Sequence, residues 1–147
     1  MSKIIFTSPE QAEATFYQAL ERMDLEAMMS VWAEDEEVVC IHPGGPRVTG
    51  FAAVRESWRQ VFASGARMHV RVVGEVVMRG LLMSVHSVNE IIFLGEDGDQ
   101  PAPPITATNV YFRGAAGWHM VSHHASILPH ADIPQDIDLT HTANTVH

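Results

Sequence analysis

Histidine is the residue type that most suggests chemistry in this sequence of 147 residues, with nine copies: His42, His69, His86, His119, His123, His124, His130, His141 and His147. An imidazole titrates close to neutral pH, so it can act as a base, an acid or a metal ligand. The nine are dispersed, so they do not form a single tract. His42, His86 and His124 with Glu90 offer a three-histidine, one-carboxylate set of the kind that holds zinc or iron. Ligand spacing speaks against it, because there is no His-x-His on an inward face and no His-Glu-x-x-His motif. The adjacent pair His123-His124 also points to opposite faces of any strand. Neither a metal nor another cofactor is therefore expected. Glu90 is unusual in the apolar run Val88-Asn89-Glu90-Ile91-Ile92-Phe93, and it shares strand parity with His86. A buried carboxylate needs a partner. Two placements are open for Glu90 and His86: a pocket, or a Glu–Arg pair on an outer sheet face, with the outer face expected. The one cysteine, Cys40, shares parity with His42 and has no cationic neighbour to activate it, so it reads as a small packed residue.

These residues need elements to position them. Ser8-Pro9-Glu10-Gln11 is a helix start: Ser8 caps, Pro9 suits the first turn and Gln11 completes a capping box. Ala12, Phe16, Ala19, Leu20 and Met23 follow at helical spacing. Asp24 caps a second helix that carries Leu25, Met28, Met29 and Trp32. Val38 to His42 is a short strand broken by Pro43-Gly44-Gly45-Pro46, and Gly50 to Ser64 is helical, with Val54, Trp58, Val61 and Phe62 on one face. Strands follow over 68–79, bent by a bulge at Gly74, then over 81–94, 105–113 and 118–127. Helices first and antiparallel strands later is an α+β arrangement. The expected division is a domain over 1–128 and a polar tail, 129–147, packed on the domain or on a partner subunit.

Three strings carry a resemblance. Tyr17-Gln18-Ala19-Leu20 through Trp32-Ala33-Glu34-Asp35 resembles the two opening helices of nuclear transport factor 2-like proteins, the superfamily of ketosteroid isomerase and the SnoaL-like polyketide cyclases. Ile41-His42-Pro43-Gly44-Gly45-Pro46 resembles its strand–turn–helix entry. Thr108-Asn109-Val110-Tyr111-Phe112 with Gly117-Trp118 through Ser126 resembles the final hairpin of a SnoaL-like branch. The resemblance implies a cystatin-like cone: a strongly curved antiparallel β-sheet wrapped around N-terminal helices, enclosing a pocket and pairing as a homodimer through the convex sheet face.

Aligned on that hairpin, Met120, Ser122 and His124 enter the cone, while His119 and His123 lie on the convex face. Asn109 falls at the isomerase's oxyanion-hole carboxyl, His42 at its base, and Phe16 at its tyrosine, with Tyr17 one residue away. Phe16 cannot donate a hydrogen bond, so steroid isomerisation by that mechanism is not expected. The resemblance implies a pocket lined by Phe16, Tyr17, Trp32, Trp58, Phe62, Met120 and Ser122, with His86 and Glu90 as further candidates. It suits a small apolar or cyclic organic ligand. Cofactor-free isomerisation, dehydration or cyclisation would use His42 as base, with Asn109 and His124 on the substrate oxygen. The alternative is a non-catalytic, homodimeric ligand-binding or association module. A formal charge of −9 without any Lys/Arg block argues against a nucleic-acid or anionic-membrane partner. The lack of a long apolar run argues against a membrane, and a lone cysteine suits the cytoplasm.

Overall fold

The computed structural model describes residues 4–129. Its elements run α1 (Pro9–Arg22), α2 (Leu25–Val31), β1 (Val39–Ile41), β2 (Arg47–Thr49), α3 (Phe51–Ser64), β3 (Met68–Arg79), β4 (Met83–Leu94), β5 (Gln100–Pro101), β6 (Ile105–Gly114) and β7 (Gly117–Ile127). This is the expected α+β order. The tail from residue 130, with His130, His141 and His147, lies outside the described residues. No helix among the described residues is long and apolar enough to cross a membrane.

Local signals explain the helices. Ser8 Oγ accepts the Gln11 N–H and Asp24 Oδ1 accepts the Ala27 N–H, each at 3.1 Å. Side-chain caps of this type contribute about 1 kcal/mol apiece. The Gln11 side chain reaches back one residue further than a capping box requires, accepting from the Thr7 N–H and hydroxyl. Met23 closes α1 in the left-handed region at φ 53°, which lets α2 fold back against it.

The strands form one sheet in the order β2-β1-β7-β6-β4-β3, with β5 on β4. Every pair is antiparallel except β1 with β7, which run parallel. Two bulges bend the sheet. In β3 the partners step from Val73↔Asn89 to Val76↔Ser87, leaving one extra residue beside Gly74, whose φ is +61°. In β7 they step from Tyr111↔Met120 to Val110↔Ser122, leaving Val121 unpaired in the ladder. An extra residue raises local twist and reverses the alternation beyond it. Helix α1 lies across the inner face of the sheet, and Phe16, Met28, Trp32, Val54, Tyr111 and Met120 are fully or nearly fully buried there.

The β6–β7 turn is locked by the chain start. The Trp118 N–H donates to the Phe6 carbonyl at 2.9 Å. Gly117 has φ +96°, and a Cβ there would lie 2.6 Å from that same carbonyl oxygen. Gly117→Ala is expected to lose about 1–3 kcal/mol of stability, read as a lower urea midpoint. An unchanged midpoint would show that the Phe6 contact does not hold the turn.

Candidate functional site

A polar cluster fills the inner face where α1 crosses β4, β6 and β7. Glu13 and Tyr17 are one helical turn apart on α1 and both are buried. Alternation on β4 turns Ser84, His86 and Glu90 inward, and on β6 it turns Asn109 and Tyr111 inward. His86 Nδ1 donates to Glu13 Oε2 at 3.0 Å, and the Tyr111 hydroxyl donates to the same oxygen at 3.1 Å. Asn109 Nδ2 donates to the Tyr17 hydroxyl at 3.0 Å, with Glu13 Oε2 a longer second acceptor at 3.4 Å. The Tyr17 hydroxyl donates to Glu90 Oε2 at 2.6 Å. His86 and Glu90 thus enter the cone, and the expectation of a Glu–Arg pair on the outer face is not met.

Charge is divided unequally within the cluster. Burial pushes the Glu13 carboxyl up, but hydrogen bonds from His86, Glu75 and Asn109 and the His86 charge outweigh it and bring it to about 2. His86 is opposed by burial, yet the Glu13 hydrogen bond and the charges of Glu13, Glu75 and Glu10 raise its pKa. Glu75 is pushed up to about 7 by its hydrogen bond to Glu13 and by burial, so it holds a proton against its neighbour. Glu90 also rises to about 7, chiefly through burial, although the Tyr17 hydroxyl works the other way. Burial keeps both Tyr17 and Tyr111 protonated as donors.

A ring-lined end adjoins this cluster. His42 follows β1 and is half-buried. Its ring meets Trp58 of α3 edge-on at 4.6 Å between centroids. Trp58 also meets Phe16 at 5.6 Å, Phe62 at 5.7 Å and His123 at 6.0 Å. The hydrogen bonds determine both tautomers. Ser57 Oγ donates to the Val54 carbonyl at 2.7 Å, so it accepts from His42 Nε2–H at 3.1 Å. His42 Nδ1 therefore carries the lone pair. Because Asn109 uses its Nδ2 as donor, its Oδ1 accepts from His123 Nδ1–H at 2.6 Å, which leaves the lone pair on His123 Nε2. Burial lowers the pKa of His42. Burial, with the charges of His42 and His124, lowers His123 to about 3. Both rings are neutral at pH 7.

His123 is the largest departure from simple strand parity. The Val121 bulge reverses alternation partway along β7, so Trp118 and Met120 are buried and then His123 and Ala125 are. His124 is exposed on the outer face and Ser122 is only half-buried, so neither enters the cone as expected. His119 is half-buried against Phe6. Trp32 and Met120 are joined by an isolated bridge and pack in the core. Cys40 is buried 3.7 Å from His42 Nε2, and burial pushes its thiol up to about 12, so it is an inert packed residue.

The set His42, His86, His124 and Glu90 is not brought together. Among the described residues, the group with metal-compatible spacing is Glu13, Glu75 and His86. Its atoms are engaged with one another as an acid–base network. Glu13, Tyr111 and Ser57 were absent from the sequence-based candidates. Glu13 had a readable signal, since it lies one turn before Tyr17 and three residues before Phe16 on the buried stripe.

Glu90 gives the site a pH signature. Its folded-state pKa lies above the ordinary 4.5, so its contribution is fully present below about pH 4.5 and is lost as pH rises through about 7. Glu90→Gln keeps an acceptor for Tyr17 and removes the titration. Relative to the native chain, the variant is expected to gain about 2–3 kcal/mol on going from pH 4.5 to pH 8. Urea unfolding at the two pH values measures this, and parallel profiles would show that Glu90 does not hold a proton.

The comparisons agree with this architecture. The SnoaL-like domain family model matches residues 10–130. A structure from Thiobacillus denitrificans, provisionally described as a calcium/calmodulin-dependent protein kinase type II association domain, is 43% identical, with TM-score 0.76, covering 86% of this chain and 99% of that one. A Streptomyces avermitilis structure, provisionally described as a dehydratase of the nuclear transport factor 2-like family, is 29% identical, with TM-score 0.72, covering 82% and 93%. The F-box protein SKIP8 of Arabidopsis thaliana is 29% identical over 77% of this chain, which spans only 46% of that relative's length. The chain belongs to the SnoaL-like domain family, in the nuclear transport factor 2-like superfamily with its cystatin-like fold.

Proposed function

We propose that this protein binds a small cyclic organic molecule at the ring-lined end of the cone and performs cofactor-free proton transfer on it, in the isomerase, dehydratase or cyclase class. One observation carries this reading: two neutral histidines flank Trp58, each with one ring nitrogen tied to the protein and the other bearing a lone pair. His42 is the better base. A general base works best with a pKa near the working pH, and His123, at about 3, is too weak. His42 Nδ1 would take a proton from carbon beside a carbonyl and return it to the neighbouring atom or to a departing hydroxyl. His123 takes the orienting role first assigned to His124, and Asn109 acts by holding His123. The family member described as a dehydratase is consistent with this class of chemistry.

The test is exchange of the α-protons of cyclohexanone in D2O, followed by NMR. Exchange should accelerate with the native chain and fall by about 10²–10⁴-fold in His42→Gln. It should also decline as acid protonates His42, below the ordinary histidine range because burial lowers that pKa. Equal exchange in the two proteins would remove His42 from the base role.

A second reading, a homodimeric association module, is favoured by a separate observation. Val76 and Met78 of β3, Leu81 and Leu82 of the following turn, Met83 of β4 and Phe112 of β6 form an exposed apolar group. Met78 is 76% and Leu81 86% exposed, and Met83 pairs directly with Phe112. Exposed apolar groups of this kind mark interaction sites, and the relative from Thiobacillus denitrificans is described as an association domain. Dimerisation through the convex face would cover them. Met78→Glu with Leu82→Glu should shift the mass measured by light scattering from dimer to monomer. An unchanged mass would place the interface elsewhere. The two readings use different surfaces and are compatible. A single, buried, free cysteine suits a cytoplasmic location, and the acidic balance suits neither nucleic acid nor an anionic membrane.

A further inference from the structure

The hydrogen-bonding groups left over at the ring-lined end define a ligand chemistry. Trp58 is 3% exposed, and its Nε1–H, like Trp32 Nε1–H and Arg71 Nε–H, is buried without an acceptor among the described residues; of the three, it is the one whose ring meets both His42 and His123. Native structures leave few buried donors unpaired, and each such group calls for an explanation. On the same rings, His42 Nδ1 and His123 Nε2 carry the lone pairs, because each imidazole spends its single N–H elsewhere, and no hydrogen bond from a described residue reaches either nitrogen. The inventory is therefore one donor and two acceptors, all neutral.

The surroundings exclude charge of one sign. The ionisable groups behind Asn109 are Glu13, which is already paired with His86, and Tyr17 with its acceptor Glu90. The two α3 arginines with partners, Arg55 and Arg59, are turned outward to Glu26 and Glu56. A carboxylate or phosphate entering beside Trp58 would lose its hydration and gain nothing from the α3 arginines, which are already paired. A hydroxyl, by contrast, can accept from an N–H and donate to an imidazole lone pair through one oxygen. Half-buried His42 and Phe62 border this end, while Phe16, Trp58 and His123 lie deeper. A ring entering there would meet aromatic faces and edges.

We infer that the ligand is a non-anionic, ring-bearing alcohol or enol whose hydroxyl accepts from Trp58 Nε1–H and donates to His123 Nε2, which leaves His42 Nδ1 free as the base. The inference rests on the pocket reading above and names its substrate class. It makes Trp58 a ligand-contacting residue rather than core packing alone.

Three small probes separate the possibilities by ligand-observed NMR on the full chain at pH 7.5. Benzyl alcohol carries the hydroxyl, benzyl methyl ether keeps the ring and an acceptor oxygen but lacks the donor, and benzoate is anionic. Benzyl alcohol should bind, the ether about five- to tenfold more weakly, and benzoate not measurably. Of the three tryptophan indole N–H resonances, only that of Trp58 should move downfield on adding benzyl alcohol, with Trp58→Phe assigning the peak and weakening binding about five- to tenfold. Should that variant fail to fold, the ranking of the probes on the native chain still decides. Benzoate binding as tightly as the alcohol, or an unmoved Trp58 resonance with the alcohol bound, overturns the inference and leaves the pocket intact. Binding of none of the three overturns the pocket reading itself, and the inference with it.

Discussion

The arrangement inside the cone depends on one buried carboxylate. Glu13 is 8% exposed, and an ionised carboxylate there survives only because His86, Tyr111 and Asn109 all direct hydrogens at it. Removing one partner of such a group costs about 3–5 kcal/mol, since the other charge stays buried and unpaired. These donors come from two strands, β4 and β6, and the acceptor from α1. Satisfying Glu13 therefore sets the depth and rotation of the helix against the sheet. Tyr17, one turn along, is thereby brought to Glu90, and Asn109 is oriented with its amide nitrogen toward Tyr17 and its oxygen toward His123.

This ordering passes from a structural interaction to a chemical one. Asn109 is the link: its amide serves the acidic cluster on one side and sets the His123 tautomer on the other. The polar floor is highly satisfied, as buried networks must be if they are not to destabilise the fold. The ring-lined end, by contrast, keeps unpaired capacity on Trp58, His42 and His123. That separation is physically reasonable. A rigid, fully bonded floor holds the rings in place, and the groups with spare hydrogen-bonding capacity lie beside half-buried His42 and Phe62.

The two bulges matter as much as the side chains. One extra residue beside Gly74 bends β3, and Glu75, next to it, hydrogen-bonds to Glu13 and lies 3.6 Å from His86 Nδ1. One extra residue at Val121 brings His123 inside and sends His124 out. A curved sheet needs such irregularities, and here the Gly74 bulge sets exposed Glu75 beside the buried Glu13–His86 pair, while the Val121 bulge decides which histidine faces the interior. The convex side carries the apolar group around Met78, Met83 and Phe112. The proposed ligand site and the proposed association surface therefore use opposite faces of one sheet.

Much of this protein was determined by sequence alone. Caps at Ser8 and Asp24, helical spacing through Phe16 and Trp58, and turn chemistry around Gly74 and Gly117 define the elements, because these are interactions among near neighbours in the chain. The inward placement of Asn109, and the shared face of His86 and Glu90, follow from the period of two. The tertiary structure alone decided which face was inward for β4, and which member of the His123-His124 pair entered the cone. A bulge is a mismatch between two strands, so it belongs to the pairing of β6 with β7 and not to the local residues of either. The same holds for Glu13: its stripe was readable, but its charge is tolerable only where strands 73 to 98 residues away supply His86, Asn109 and Tyr111.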